Sequence, residues 1–87
     1  MELDIKEKIL NDFGNEAFEA INLLEMADSK LKLGPRVSRC IVVLASGSIS
    51  KLKKAINEAE IDWRDVILSA ETKDFEFNKP FKTNKPH

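Results

Sequence analysis

A chain of 87 residues is the size of one small domain, and its 14 basic and 15 acidic side chains leave a formal net charge of only −1. That balance offers no global field for a polyanion or a membrane surface to read. One cysteine rules out an intrachain disulfide, no apolar stretch approaches membrane-spanning length, and the acidic N-terminus lacks a basic segment followed by an apolar run, so a cytoplasmic protein is expected.

The apolar spacing predicts an all-α fold, a small bundle of about five short helices over residues 4–71, followed by an extended or partly disordered C-terminal arm, 72–87. In the first helix Ile5, Ile9, Leu10 and Phe13 form the stripe, Asp4 is the expected N-cap and Gly14 the stop. Asn15 then caps the second helix, where Phe18, Ile21, Leu24 and Leu31 are expected inward and Glu16 and Glu19 sit at the positive end of the helix dipole. Gly34 and Pro35 break the pattern, and a proline at the first turn starts the third helix without wasting an amide. This third helix, running to Ala45, is the most apolar and is expected at the centre together with the fifth. Gly47 ends it and Ser48 caps the fourth, with Ile49, Leu52, Ile56 and Ala59 inward. Ile61 and Asp62 form a tight junction, after which Trp63, Val66, Ile67 and Ala70 share the apolar face of the fifth helix; Asp62 as N-cap and Asp65 three residues on resemble a capping box with a shortened acid.

The arm interleaves Phe75, Phe77 and Phe81 with Lys73, Asp74, Glu76, Lys79 and Lys82. So many aromatics are unusual for a solvated tail, so the three phenylalanines are expected to anchor the arm on the bundle or on a neighbouring subunit. A domain this small leaves apolar surface uncovered, which favours a homo-oligomer or another protein partner.

Two places set charge beside core positions. Arg36 and Arg39 flank Val37, Cys40, Ile41 and Leu44, and Asp62, Arg64 and Asp65 flank Trp63, Val66 and Ile67. Guanidinium and carboxylate groups so placed are expected to pair, Arg36, Arg39 and Arg64 with acids such as Asp62 and Asp65, and to lock helices together; the other reading is a binding surface. Trp63 is expected as a buried corner, and as an interface anchor if exposed. The charge is also uneven along the chain: residues 1–35 hold eight acidic against four basic residues, and 36–60 five basic against two acidic.

Catalytic and metal chemistry has little to stand on. His87 is the only histidine and the last residue of the sequence, a poor place for a general base. Cys40 lies on the apolar face of the third helix and reads as a structural cysteine. No histidine pair, CxxC or glycine-rich phosphate loop is present, so neither a metal nor a cofactor is expected. Ser46, Gly47 and Ser48 give the third and fourth helices the turn of a helix-turn-helix pair, and Lys51, Lys53 and Lys54 would then meet phosphates. However, Ile49, Ser50 and Lys51 occupy the exposed start where base-reading side chains belong, which makes nucleic acid the lesser alternative.

The segments Pro35-Arg36-Val37-x-Arg39-Cys40, Leu44-Ala45-x-Gly47 and Asp62-Trp63-Arg64-Asp65-Val66-Ile67 resemble a group of small uncharacterised bacterial proteins. That resemblance implies a bacterial, cytosolic protein and brings no activity with it. From the residues alone, the expectation is a non-enzymatic protein–protein interaction or assembly module, with weak nucleic-acid binding as the alternative.

Overall fold

The computed structural model describes residues 1–71 together with Pro80 and Phe81. Among these residues every regular element is helical and there is no strand. The order is α1 (Leu3–Phe13), a 3-10 turn (Gly14–Glu16), α2 (Ala17–Leu31), α3 (Gly34–Ala45) and α4 (Ile49–Ala70). The all-α class is therefore as expected, but the count is not. The chain makes three continuous helical runs, 3–31, 34–45 and 49–70, where about five short helices were anticipated.

The first discrepancy arises at Gly14. Its φ of 53° turns the backbone, but Gly14 to Glu16 wind into a 3-10 turn that feeds straight into α2, and no side chain caps the junction. Asn15 is thus not an N-cap. Nor is Asp4: the residue preceding α1 is Glu2, in extended conformation, and Asp4 lies inside the first turn.

The stripe of α1 is Ile5, Ile9 and Phe13, all buried, while Leu10 is half exposed. On α2 the buried face is Ala17, Ala20, Leu24 and Ala27, and Phe18, expected inward, is 78% exposed. A face at spacing 3, 4, 3 built mostly of alanine lets the helix axes approach closely, and Phe18 sits about 100° away from Ala17 around the helix. Reading the large side chains as the core stripe placed that face one residue out of phase.

Asp28 closes α2 and opens α3. Its carbonyl accepts the Lys32 N–H at 2.7 Å, and its carboxylate accepts the Gly34 N–H at 2.9 Å. α3 then buries six consecutive residues, Val37 to Val42, as a central helix should. The α3–α4 turn needs Gly47: at φ 79° a side chain is strained, and a Cβ there would run into the Asp12 carbonyl oxygen at the end of α1. Ser48 caps α4 as expected, its hydroxyl accepting the Lys51 N–H at 3.3 Å.

The expected junction at Asp62 is present, but as a kink within one continuous helical run. The Asp62 backbone is extended (φ −157°, ψ 102°) inside α4, and its carboxylate accepts the Arg64 N–H at 3.0 Å, so the residue kinks the helix and recaps it in one step. Val66 beyond the kink is fully buried, whereas Trp63 is 52% exposed and is not the buried corner that was expected.

Two of the three arginines pair differently from the expectation. Arg39, 3% exposed, donates from Nε to Asp4 Oδ2 at 2.9 Å and from Nη2 to Asp4 Oδ1 at 3.3 Å. Arg36 makes a two-point contact with Glu71, at 2.8 and 2.6 Å, while Arg64 pairs as expected with Asp62, at 3.2 Å. Arg36 and Arg39 therefore do not meet Asp62 or Asp65, because α3 presents its first turns to Asp4 at the start of α1 and to Glu71 at the end of α4. The arm reaches the same place: Phe81 packs against the core, its N–H donates to Asp4 Oδ2 at 3.0 Å, and the Lys8 ammonium lies 5.9 Å from its ring centre. Phe75 and Phe77 lie outside the described residues.

Removing one partner of a buried ion pair leaves the other charge stranded, at a cost of about 3–5 kcal/mol. Arg39→Ala is thus expected to lower unfolding stability by that amount in chemical denaturation. Asp65→Ala, at an exposed position, is expected to change it by less than about 0.5 kcal/mol.

Candidate functional site

Three places were open for function: the arginine and aspartate positions, the thiol of Cys40, and the surface between α2 and α4. The first does not form one site. Arg39 is buried and Asp4 nearly so, Arg36 stands half exposed over Glu71, and Arg64, Asp65 and Trp63 are exposed around the kink. Asp62 holds its carboxyl below the usual value through the hydrogen bonds it accepts from Arg64, a consequence of capping.

Cys40 is fully buried, and its thiol donates to Glu71 Oε2 at 3.8 Å. Burial, reinforced by the negative charge of Glu71 and the hydrogen bond to it, pushes the thiol up to about 12. A thiol in that state is a structural donor, not a nucleophile. Among the described residues no group of three or more histidine, cysteine, aspartate or glutamate side chains is placed to hold a metal ion. No helix among them is long and apolar enough to cross a membrane. His87 lies outside the described residues.

The surface between α2 and the first part of α4 is different. Leu23, Met26, Ala27 and Leu31 from α2 and Ile56 from α4 line an apolar groove of about 720 Å³. Glu25, Ser29 and Lys30 edge it on one side, and Lys53, Asn57 and Glu60 on the other. Lys30 Nζ meets Glu60 Oε1 at 3.5 Å across one end. Met26 is 71% exposed, a large flexible apolar side chain held out at the mouth. The groove exists because α2 has apolar residues on more than one face. The alanine face packs inward, and Leu23, Met26 and Leu31 are left beside it.

A second, smaller cleft of about 500 Å³ lies at the kink of α4, lined by Glu58, Ile61, Asp65, Leu68 and Ser69. Ile61 and Leu68 are among the most exposed large apolar residues. Lys51, Lys53 and Lys54 are all exposed, but Lys53 belongs to the groove rim, while Lys51 and Lys54 edge a shallow hollow shared with Glu58.

None of the groove's floor residues stood out in the sequence as a site. The available signal was the apolar composition of α2, too broad for a single stripe, with a methionine on its flank. Comparison with protein-family models, with curated proteins and with solved structures finds no match.

Two titrations follow from these geometries. Burial raises the Asp4 carboxyl, but the hydrogen bonds from Arg39 and from the Phe81 N–H outweigh it, so the folded value lies below the ordinary 3.8. The contribution of Asp4 is present above that ordinary value and is lost as pH falls through the lower folded one. At the other end, the raised Cys40 thiol stabilises the fold fully below its ordinary value of 9.0, and the contribution drains away as pH climbs towards about 12. Denaturation at alkaline pH is expected to show this loss in the natural chain and not in Cys40→Ala. In the folded protein at neutral pH the thiol is expected to resist alkylation that it undergoes in denaturant.

Proposed function

We propose that this protein is a non-enzymatic protein–protein interaction or assembly module whose docking surface is the groove between α2 and α4. The observation that carries the reading is a concave apolar surface, floored by Leu23, Ala27, Leu31 and Ile56 and entered by the exposed Met26. Contiguous exposed apolar surface is costly in water, and where it is rimmed by charge it serves recognition. A groove between two helices suits an apolar helical face with anchors at i, i+3 or i+4 and i+7. The clustering of Ile61 and Leu68 at the kink supports the same class of role. The charged pairs Arg39–Asp4 and Arg36–Glu71 hold the scaffold and lie outside the groove.

Met26→Glu places a charge in the groove mouth without touching the core, so the helical circular dichroism and melting temperature are expected to persist. Association, read as mass by light scattering and as cross-linked partners in a lysate, is expected to fall sharply. Unchanged association would remove the groove from consideration.

Weak nucleic-acid binding is the lesser reading, favoured only by the exposure of Lys51, Lys53 and Lys54. Glu58 and Glu60 follow them on the same helix, so duplex DNA is expected to run unretarded at physiological salt. Binding that weakens steeply with salt would promote the three lysines to phosphate contacts.

A further inference from the structure

The rim of the groove carries its charges in a pattern that points to a particular occupant. On the α2 side Glu25 precedes Lys30, and on the α4 side Lys53 precedes Glu60. Lys30 and Glu60 face each other at 3.5 Å and mark one end. The walls of the groove are residues 23–31 of α2 and 53–60 of α4, and both lead up to the Lys30–Glu60 contact, so the two segments run towards that end together. By helical rise Glu25 lies about 7.5 Å back from Lys30, and Lys53 about 10.5 Å back from Glu60, which sets them near one height at the other end. Acid and base therefore face each other across the groove at both ends, with the order of signs reversed.

Such a pattern is complementary to itself. We infer that the groove is a two-fold interface that takes a second copy of this chain, the axis lying along the groove, a proposal that rests on the docking role proposed above. Rotation about that axis lays α2 of one copy over α4 of the other. Glu25 then meets Lys53 of the second copy, and Lys53 meets Glu25 of the second copy, as an isologous contact requires. Neither residue forms an ion pair among the described residues, so both gain a partner. At the other end two Lys30–Glu60 pairs come together as a four-charge cluster. Met26 of each copy passes to the α4 side of the other, towards Ile56. A partner of uniform charge would gain at one corner of this rim what it loses at the next, whereas a second copy brings opposite charge to Glu25 and Lys53 and leaves the Lys30–Glu60 pairs intact.

The size of the surface sets the strength. A typical stable interface covers about 800 Å² per partner, more than a groove with five apolar lining residues and a charged rim supplies. The dimer is accordingly a weak, reversible one, which forms at micromolar concentrations and above.

Sedimentation equilibrium of the full chain, run from about 1 μM to about 1 mM, reads the monomer–dimer constant directly. The natural chain is expected to move from monomer to dimer across that range and to stop at dimer. Lys53→Glu makes both reciprocal contacts repulsive and is expected to weaken dimerisation about tenfold. The double variant E25K/K53E restores opposite charges across this particular axis and is expected to recover the natural constant within about twofold. Met26→Glu is expected to abolish the dimer. A chain that remains monomeric throughout overturns the proposal. So does a dimer indifferent to Met26→Glu and Lys53→Glu, or one that the double variant fails to restore. If the chain is monomeric yet Met26→Glu still removes a cross-linked partner in a lysate, the groove remains a docking surface and only its occupancy by a second copy is refuted.

Discussion

The arrangement of this small bundle depends on one buried ion pair. Arg39 comes from the middle of the most buried helix, Asp4 from the first turn of α1, and their side chains are 4% and 9% exposed. Two charges taken out of water cost several kcal/mol each, and their attraction repays that only when the geometry is good and the remaining lone pairs are used. Both conditions hold here: the guanidinium grips both carboxylate oxygens, and the Phe81 N–H donates to one of them. Three segments far apart in sequence are thereby tied at one point. The pairing also fixes which part of α3 lies against α1, because Arg39 has to sit where Asp4 can reach it.

With α1 and α3 set in this way, α2 takes its place by its alanines. Ala17, Ala20 and Ala27 are small enough to let the helix settle closely, and the larger apolar residues that flank them are displaced to the outside. Leu23, Met26 and Leu31 thus form one wall of the groove against α4, and Phe18 is left in solvent. The same packing that completes the core creates the groove proposed as the docking surface. Arg36 and Glu71 close the far end of α4 over the Cys40 thiol, which accounts for a buried sulfur with a strongly raised pKa and no nucleophilic role.

How much of this was legible in the sequence depended on whether the signal was local. The Ser48 cap, the start at Gly34 and Pro35, the centrality of α3 and the restart at Asp62 are all set by residues adjacent in the chain, and each could be read directly. Phe18 shows where that method fails. A periodicity reading gives weight to large side chains, while the packed face of α2 is chosen by small ones, and the difference is a rotation of one residue. The partners of Arg36 and Arg39 show a second limit. Charge beside a core stripe indicates that a partner exists, but Asp4 and Glu71 are each 35 residues away from the arginine they meet, and nothing local selects them over Asp62 or Asp65. The groove was hidden for the same reason: it belongs to two helices at once, and neither alone displays it.

The dependence of the fold on the Asp4–Arg39 contact is tested most directly by a double-mutant cycle. Asp4→Ala, Arg39→Met and the combination would be compared with the natural chain by chemical denaturation. If each single change strands a buried charge, the double variant, which strands none, should be more stable than the sum of the two losses implies by at least about 2 kcal/mol. Losses that simply add would mean that the two groups do not depend on each other, and the account of how this bundle is held together would be contradicted.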